Sequence, residues 1–573
     1  MELSFVARDW KRHFAHLGVN LLPVKGSPGS WQVNAIAYRH PPLILSLKAP
    51  FGQFVVGEPT LQAACGLMSL FGRREGEGPR RTGVPFASVC GAVAAGQGIM
   101  AALVAQARGS ADVTQVEVNA GSALLFSQSH HVELTALGPI RETLGAGKPP
   151  PFLTSDGHWV EVETFRAERW AAFWKRLGVD GRDAMTSWRS HEARQWTACF
   201  RVPESVHRAA HIPLKEIMAA AHAEDVCVSD VSNPIGDDLI EPWLLSPSPW
   251  TGPPPAENLD EGALPPRWLP LAGMQVVEAT HYLQGSYAGR ILACLGAQVW
   301  RVEPPDGDPA RGVEPVRAGC SVSFRALHRG KEALCVDLRS PRGRRRVHEV
   351  VSRASVFLTN WSPGKLGPAH LDYTTLRRVN PSLVYAHATG SPPDDERWPH
   401  TASDWSIQAA TGMGRAVRCD GERPAVSQMT MLDPLGGLLC AEGIMTGLMQ
   451  RQHTGFGCYV ESSLRHAAHV LMAFTRLQTG PAFHPLPTQS GYLAVDDTRF
   501  LRKRLGLSAD AGREDFVRVL RTRTDQEWEE QLRVEGLAAT RVRTMDDVIE
   551  NPLDPSWLRY DHGIHVAPPW RIS

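Results

Sequence analysis

The chain has 573 residues, 43% of them hydrophobic, and 60 basic side chains balance 60 acidic ones. That length suits roughly two to four domains with sizeable cores, which excludes global disorder, and a formal net charge of zero excludes a general polyanion binder. Ten cysteines without CxxC or His-rich spacing read as reduced thiols of a cytoplasmic protein, not as a disulfide frame or a metal site. The first ten residues lack a basic stretch followed by a long apolar core, so no signal peptide is expected. No window approaches eighteen uncharged apolar residues, so no membrane span is expected either.

The first readable blocks occur twice. His40–Leu47 resembles Asn380–His387, Glu58–Met68 resembles Asp404–Met413, and Gly98–Leu103 resembles Gly443–Leu448. Three blocks in order at nearly one offset imply a diverged duplication. The copies differ chemically. Where the second has Asp433, between an apolar run and Pro434-Leu-Gly-Gly437, the first has Ser88, and where the second has Asp404 the first has Glu58. An Asp entering the helical-looking segment Leu438–Gln450 lies near the positive end of a helix dipole, which keeps a carboxylate ionised and nucleophilic; the plainer role is an N-cap. If the protein is an enzyme, the second copy carries the chemistry.

Phe152–Glu163 reads as a hairpin about Asp156-Gly157, followed by amphipathic helices over Ala167–Leu177 and Leu214–His222. Proline density from Ser246 to Pro266 marks a linker. From Leu271 the pattern is strand Met274–Ala279, turn His281–Ser286, helix Tyr287–Leu295 and strand Gln298–Glu303, a βαβ unit that implies a parallel sheet. No GxGxxG accompanies it, so an ordinary dinucleotide site is not supported. Val336–Leu338, Ser355–Asn360 and Leu383–His387 supply further strands. Arg339–Ala354 is a basic helix opened by Ser340-Pro341, with a solvated arginine face as the plain reading. His130-His131 and the seventeen tryptophans carry no ligand spacing and read as interface or core.

Leu271–His281, Leu295–Pro305, Arg329–Leu338, Asn360–Gly364 and Asn380–Tyr385, with the blocks ending at Gly437, together resemble the family III CoA-transferases, the superfamily that includes the formyl-CoA and carnitine CoA-transferases and alpha-methylacyl-CoA racemase. The resemblance is good over about 270–470 and partial over about 40–235. It implies an α/β fold, internally duplicated: a Rossmann-like parallel-sheet CoA-binding domain plus a small α+β domain. The expected organisation is a degenerate copy at 1–235 (repeat core 40–137, small α+β unit 150–235), a Pro-rich linker at 236–268, a large domain at 269–475, and a shortened small domain with C-terminal return at 476–573.

It further implies CoA transfer from an acyl-CoA to a carboxylic acid through an anhydride and a thioester on Asp433, with Asp404 orienting. Gln284 and Gly285 would line the thioester pocket, and Asn360 and Trp361 would lie beside the CoA arm near His281. Relatives often place basic residues where this chain has Pro304, Pro368 and Thr401; Lys331, Lys365 and Arg301 are the candidates to compensate. Racemases of this fold have a His where this chain has Ser403, which disfavours two-base epimerisation. The alternatives are a racemase, isomerase or lyase on the same scaffold, or a binding pseudoenzyme. No bound cofactor, metal, nucleic acid or membrane partner is expected; the substrates are small molecules. A homodimer or an intramolecular pseudo-dimer is expected, with one CoA site per chain.

Overall fold

The computed structural model describes residues 10–573 apart from 11–12, 37, 49–56, 75, 77, 139–146, 196–200, 236–240, 250–268, 392–396, 476–483 and 562. Most of the expected Pro-rich linker, and the start of the expected C-terminal unit at 476–483, lie outside the described residues.

The second half builds a seven-stranded sheet. Its parallel strands lie in the spatial order Lys331–Cys335, Gln298–Glu303, Gln275–Ala279, Val356–Thr359, Val384–Thr389 and Cys458–Ser463. Counted along the chain, that order is 3-2-1-4-5-6, the doubly wound arrangement whose switch point falls between the first and fourth strands. Val336–Leu338, expected as a strand, follows the strand that ends at Cys335. The helix expected at Tyr287 begins at Gln284, and the arginine-rich helix spans Pro341–Val351 with Arg342, Arg345 and Arg346 exposed.

The first half has a five-stranded sheet in which Leu43–Lys48 and Gln115–Asn119 pair in parallel, as Val384–Thr389 and Cys458–Ser463 do. Each of these parallel pairs then receives an antiparallel edge strand from a distant part of the chain. Leu244–Pro247, which follows the first small α+β unit, pairs with Cys458–Ser463. Trp570–Ile572, which follows the second, pairs with Gln115–Asn119. The small units are exchanged in the same way. Helix Asp404–Ala410 packs on strands Trp159–Glu163 and Cys227–Asp230, while helix Glu58–Ala64 packs on Tyr492–Val495 and Ala539–Arg541.

The halves meet along helices Phe86–Ala107 and Leu432–Thr454. The first is uncharged over 22 residues and, by length and composition, could cross a membrane, contrary to the expectation that no such window exists. It is enclosed by protein from Phe86 to Gln106, as an all-round apolar core helix should be. Small residues let the two helices approach. Gln97 Nε2 donates to the Leu438 carbonyl at 2.8 Å, and a Cβ on Gly96 would collide with Glu442, which a 2.9 Å contact to His13 holds in place. His130 is core, as expected: its Nδ1 meets the Tyr287 hydroxyl at 2.9 Å across the contact between the halves. Gly96→Ala should therefore destabilise the protein by about 1–3 kcal/mol, read as a lowered denaturant midpoint with an unchanged slope.

Candidate functional site

The switch point is built by one side-chain amide. The strands ending at Ala279 and Thr359 pair up to that point, and Asn360 bridges their extensions. Its Oδ1 accepts from His281 N at 2.8 Å and its Nδ2 donates to His281 O at 2.6 Å. Clamped on both sides, the backbone turns abruptly at the next residue, and Tyr282 adopts φ 58°, a left-handed conformation that is costly for a bulky aromatic. Trp361 stacks on the His281 ring at 5.3 Å between centroids and 13° between planes. Burial pushes the His281 imidazole below its ordinary value; Asp308 opposes this, and Arg301 and Lys365 reinforce it. Gly285 is needed because a Cβ there would meet the Thr280 side chain at 2.6 Å.

Gln284 ties this turn to Asp433. Its Nε2 donates to the Thr389 carbonyl at 3.1 Å, and its amide lies against Gly436. Asp433 is buried, in the first turn of the helix Leu432–Thr454, which begins six residues before the expected Leu438. Pro434 is tolerated within that turn because the first amide groups of a helix have no intrahelical acceptor. One of those amides, Asp433 N–H, donates to Asp404 Oδ2 at 2.8 Å, and Met431 N–H donates to the same oxygen at 2.9 Å. Gln408, one turn on from Asp404, donates to Oδ1 at 2.6 Å while its own carbonyl accepts from Ser427 N–H at 2.8 Å. Burial pushes the Asp404 carboxyl up to about 6, against the pull of these donors. Gly437 has a packing role instead of opening the backbone to a ligand: a Cβ there would strike Tyr287 and the Gln284 carbonyl.

The first half holds the same network. Ser88 N–H donates to Glu58 Oε2 at 2.7 Å, Gln62 to Glu58 Oε1 at 2.7 Å, and Thr82 N–H to the Gln62 carbonyl at 3.0 Å. The Ser88 hydroxyl also donates to Glu58 at 2.6 Å. The carboxylate that Asp433 supplies in the second half is thus replaced by a hydroxyl bonded back onto its own anchor.

The first small unit supplies residues that no motif or spacing pointed to. Glu163 accepts from Ser403 Oγ at 3.1 Å and from Arg194 at 2.8 Å, and Arg194 lies 3.9 Å over the Trp405 ring. His191 packs edge-on to Tyr282 at 4.7 Å and Trp405 at 5.4 Å, and burial, with Arg194 nearby, pushes it down to about 3. These contacts cross between the halves, and no spacing within one segment encodes them.

Lys331 and Arg301 are placed differently from the rest. Lys331 Nζ is buried 2.8 Å from Glu278 and donates to Ser286 O at 2.8 Å, and burial pushes it down to about 8 despite Glu278. Arg301 is buried among Asp308, Glu303 and Glu278. Both cations are committed to internal carboxylates. Of the three candidate cations, Lys365 is the one exposed to solvent, within electrostatic range of His281. Among the described residues, the group of potential metal ligands that converges is Cys419, Glu422 and His484, which does not include Asp404 or Asp433.

Asp404→Asn puts an NH2 against a donor, because both carboxylate oxygens are acceptors and Gln408 cannot flip without losing Ser427. The loss should be about 1–3 kcal/mol of stability. Because the folded state holds the Asp404 proton more tightly than the unfolded chain, the wild type loses stability as pH rises from about 4 to about 6. Urea titrations of both proteins across that range should therefore show a larger penalty for the variant at pH 4 than at pH 7.

The sequence model of CoA-transferase family III matches residues 39–241 and 271–498. Acetyl-CoA:oxalate CoA-transferase of Acetobacter aceti is 31% identical over 37% of this chain and 57% of its own length. Succinyl-CoA:glutarate CoA-transferase of Mus musculus is 31% identical over 34% of this chain and 45% of its own length. The chain thus spans about half the length of these curated relatives. A CAIB/BAIF family protein from Brucella suis, of known structure, is 24% identical, with a TM-score of 0.49 over 54% of this chain and 93% of that one. With the family's sequence model matching most of its length in two segments, the chain belongs to CoA-transferase family III.

Proposed function

We propose that this protein transfers coenzyme A from an acyl-CoA to a carboxylic acid, with Asp433 as the covalent nucleophile, and that its two halves descend from a duplication that left one working site. The observation that carries the reading is the burial of Asp433 in the first turn of a 23-residue helix, its backbone fixed by Asp404. Such a carboxylate feels the positive end of the dipole and lies in a poorly solvated site, where attack on a thioester carbonyl needs little reorganisation. Attack forms the acyl–aspartyl anhydride and expels CoA thiolate. The thiolate attacks the aspartyl carbonyl, releasing the donor acid and leaving an aspartyl-CoA thioester. The acceptor carboxylate repeats the sequence in reverse and regenerates Asp433. Each intermediate retains the acyl activation, so no nucleotide is consumed.

Several positions support roles around this step. The turn Thr280–Gln284 and the Asn360–Trp361 pair flank the switch point, the place where doubly wound sheets bind ligands. Asn360 acts by shaping the His281–Tyr282 backbone, since its amide is spent there. Asp404 positions Asp433, and in place of a racemase His this chain has Ser403, bonded to Glu163. The relatives named above are transferases for oxalate and glutarate; the acid accepted here belongs to the same small-carboxylate class in this reading. The exchange of small units between the halves supports an intramolecular pseudo-dimer.

The test is intact mass after mixing with a panel of acyl-CoA thioesters, followed by hydroxylamine. The wild type should gain an acyl- or CoA-sized adduct that hydroxylamine discharges, and Asp433→Asn should gain none. Thioester binding without an adduct on the wild type would replace covalent transfer with isomerase or lyase chemistry. Absence of both binding and adduct would leave a pseudoenzyme.

A further inference from the structure

Away from Asp433, three side chains from two segments line up. Cys419 and Glu422 end a tight turn closed by Glu422 N–H donating to Cys419 O at 3.2 Å, with Gly421 at φ 83° as the turn demands. His484, from the C-terminal unit, stands against both. Its Nδ1 is 3.9 Å from Cys419 Sγ, and its Nε2 is 3.0 Å from Glu422 Oε1. The other Glu422 oxygen accepts from Cys419 N–H at 3.0 Å. The order sulfur, imidazole, carboxylate is that of an activated thiol: the base faces the nucleophile and a third group orients the base.

The charges around the group decide what it can hold. Arg418 lies 3.2 Å from Glu422, Arg80 pairs with the same carboxylate, and Arg513 donates to His484 O at 2.7 Å, while the Cys419 thiol donates to the Arg81 carbonyl at 3.9 Å. The cations outnumber the one carboxylate. A dication placed among Cys419, Glu422 and His484 would meet two guanidinium groups on its carboxylate ligand, and both imidazole nitrogens are already engaged. What the sulfur does face is the imidazole, whose Nδ1 places a base beside it. The hydrogen bonds to Cys419 and Glu422 outweigh burial and push His484 up to about 9. Burial works against ionisation of Glu422, but His484, Arg418 and the Cys419 amide outweigh it and hold the carboxyl down at about 2. His484 is about a quarter exposed and Cys419 is partly exposed, so a small reagent can reach the sulfur.

We propose that Cys419, His484 and Glu422 form a thiol–imidazole–carboxylate relay that makes Cys419 a site of thiol–disulfide exchange with low-molecular-weight disulfides. His484 Nδ1, facing Sγ, is placed to take the thiol proton as the sulfur attacks. The thiolate attacks one sulfur of a disulfide RSSR; the Sγ–S bond forms as the S–S bond breaks, and RS– leaves with a proton taken from solvent. The product is a mixed disulfide at a junction that joins the first half, through Arg80, to the second half and the C-terminal unit.

Cys335, exposed and outside this network, is the internal reference. The full-length protein is treated briefly with iodoacetamide at pH 6, and each cysteine peptide is quantified by mass spectrometry. Cys419 should react roughly tenfold faster than Cys335, and oxidised glutathione should add one dithiothreitol-reversible adduct at Cys419. His484→Gln should bring Cys419 down to the Cys335 rate. A wild-type Cys419 no faster than Cys335 overturns the proposal without recourse to any variant. So does an unchanged rate in His484→Gln, or one bound Zn2+ per chain that protects Cys419 from alkylation.

Discussion

A buried carboxylate that accepts backbone hydrogen bonds at the start of a core helix is the constraint around which both halves are arranged. A helix entering a core leaves its first amide groups without partners, and burying them unpaired is costly. Asp404 takes two such donors at the entrance of helix Leu432–Thr454, and Glu58 does the same for helix Phe86–Ala107. In each case a glutamine one turn on also donates to the carboxylate, to the other oxygen of Asp404 and to the Glu58 oxygen shared with Ala87 N–H, and reaches across to a third segment, at Ser427 or Thr82. The carboxylate therefore fixes three pieces of chain at once. In the second half, that rigidity places a further carboxylate, Asp433, at the helix entrance. In the first, Ser88 turns its hydroxyl inward and closes the same place.

The correspondence of the halves was legible because these roles are written in local spacing. Glu58 with Gln62 and Asp404 with Gln408 are i, i+4 pairs, and the glycines Gly66 and Gly412 that follow both take left-handed conformations. The parallel strands at Gln298–Glu303 and Val384–Thr389 were legible for a similar reason: short runs rich in valine and aromatic residues, set in a strand–turn–helix alternation. The start of the Asp433 helix was misjudged because Pro434 and two glycines look like a turn. In the folded protein the proline occupies a first-turn position and the glycines admit Gln284 and Tyr287.

What the sequence could not disclose lies between segments. The pairing of Glu163 and Arg194 with Ser403 and Trp405 joins a small unit of one half to a helix of the other, across 240 positions in the case of Glu163 and Ser403. Lys331 and Arg301 looked available because a single chain of letters does not show that Glu278, Glu303 and Asp308 converge on them. Tyr282 likewise carries no local signal for φ 58°; its conformation is imposed by an asparagine 78 positions later, through the residue before it.

The interleaving of the halves also bears on how the protein reaches its native state. Contacts that close the first half are made with residues far along the chain: Thr60 meets Asp496, 436 positions away, and Asn119 meets Asp554, 435 positions away. Pairings of such separation require the intervening chain to be ordered first, which slows the search for the native topology. Until then the helix Phe86–Ala107, apolar on every side, lacks the partner that covers it. A ribosome-bound chain spends that interval with an adhesive segment uncovered, so the burden of this architecture falls on chaperones and on the rate of synthesis.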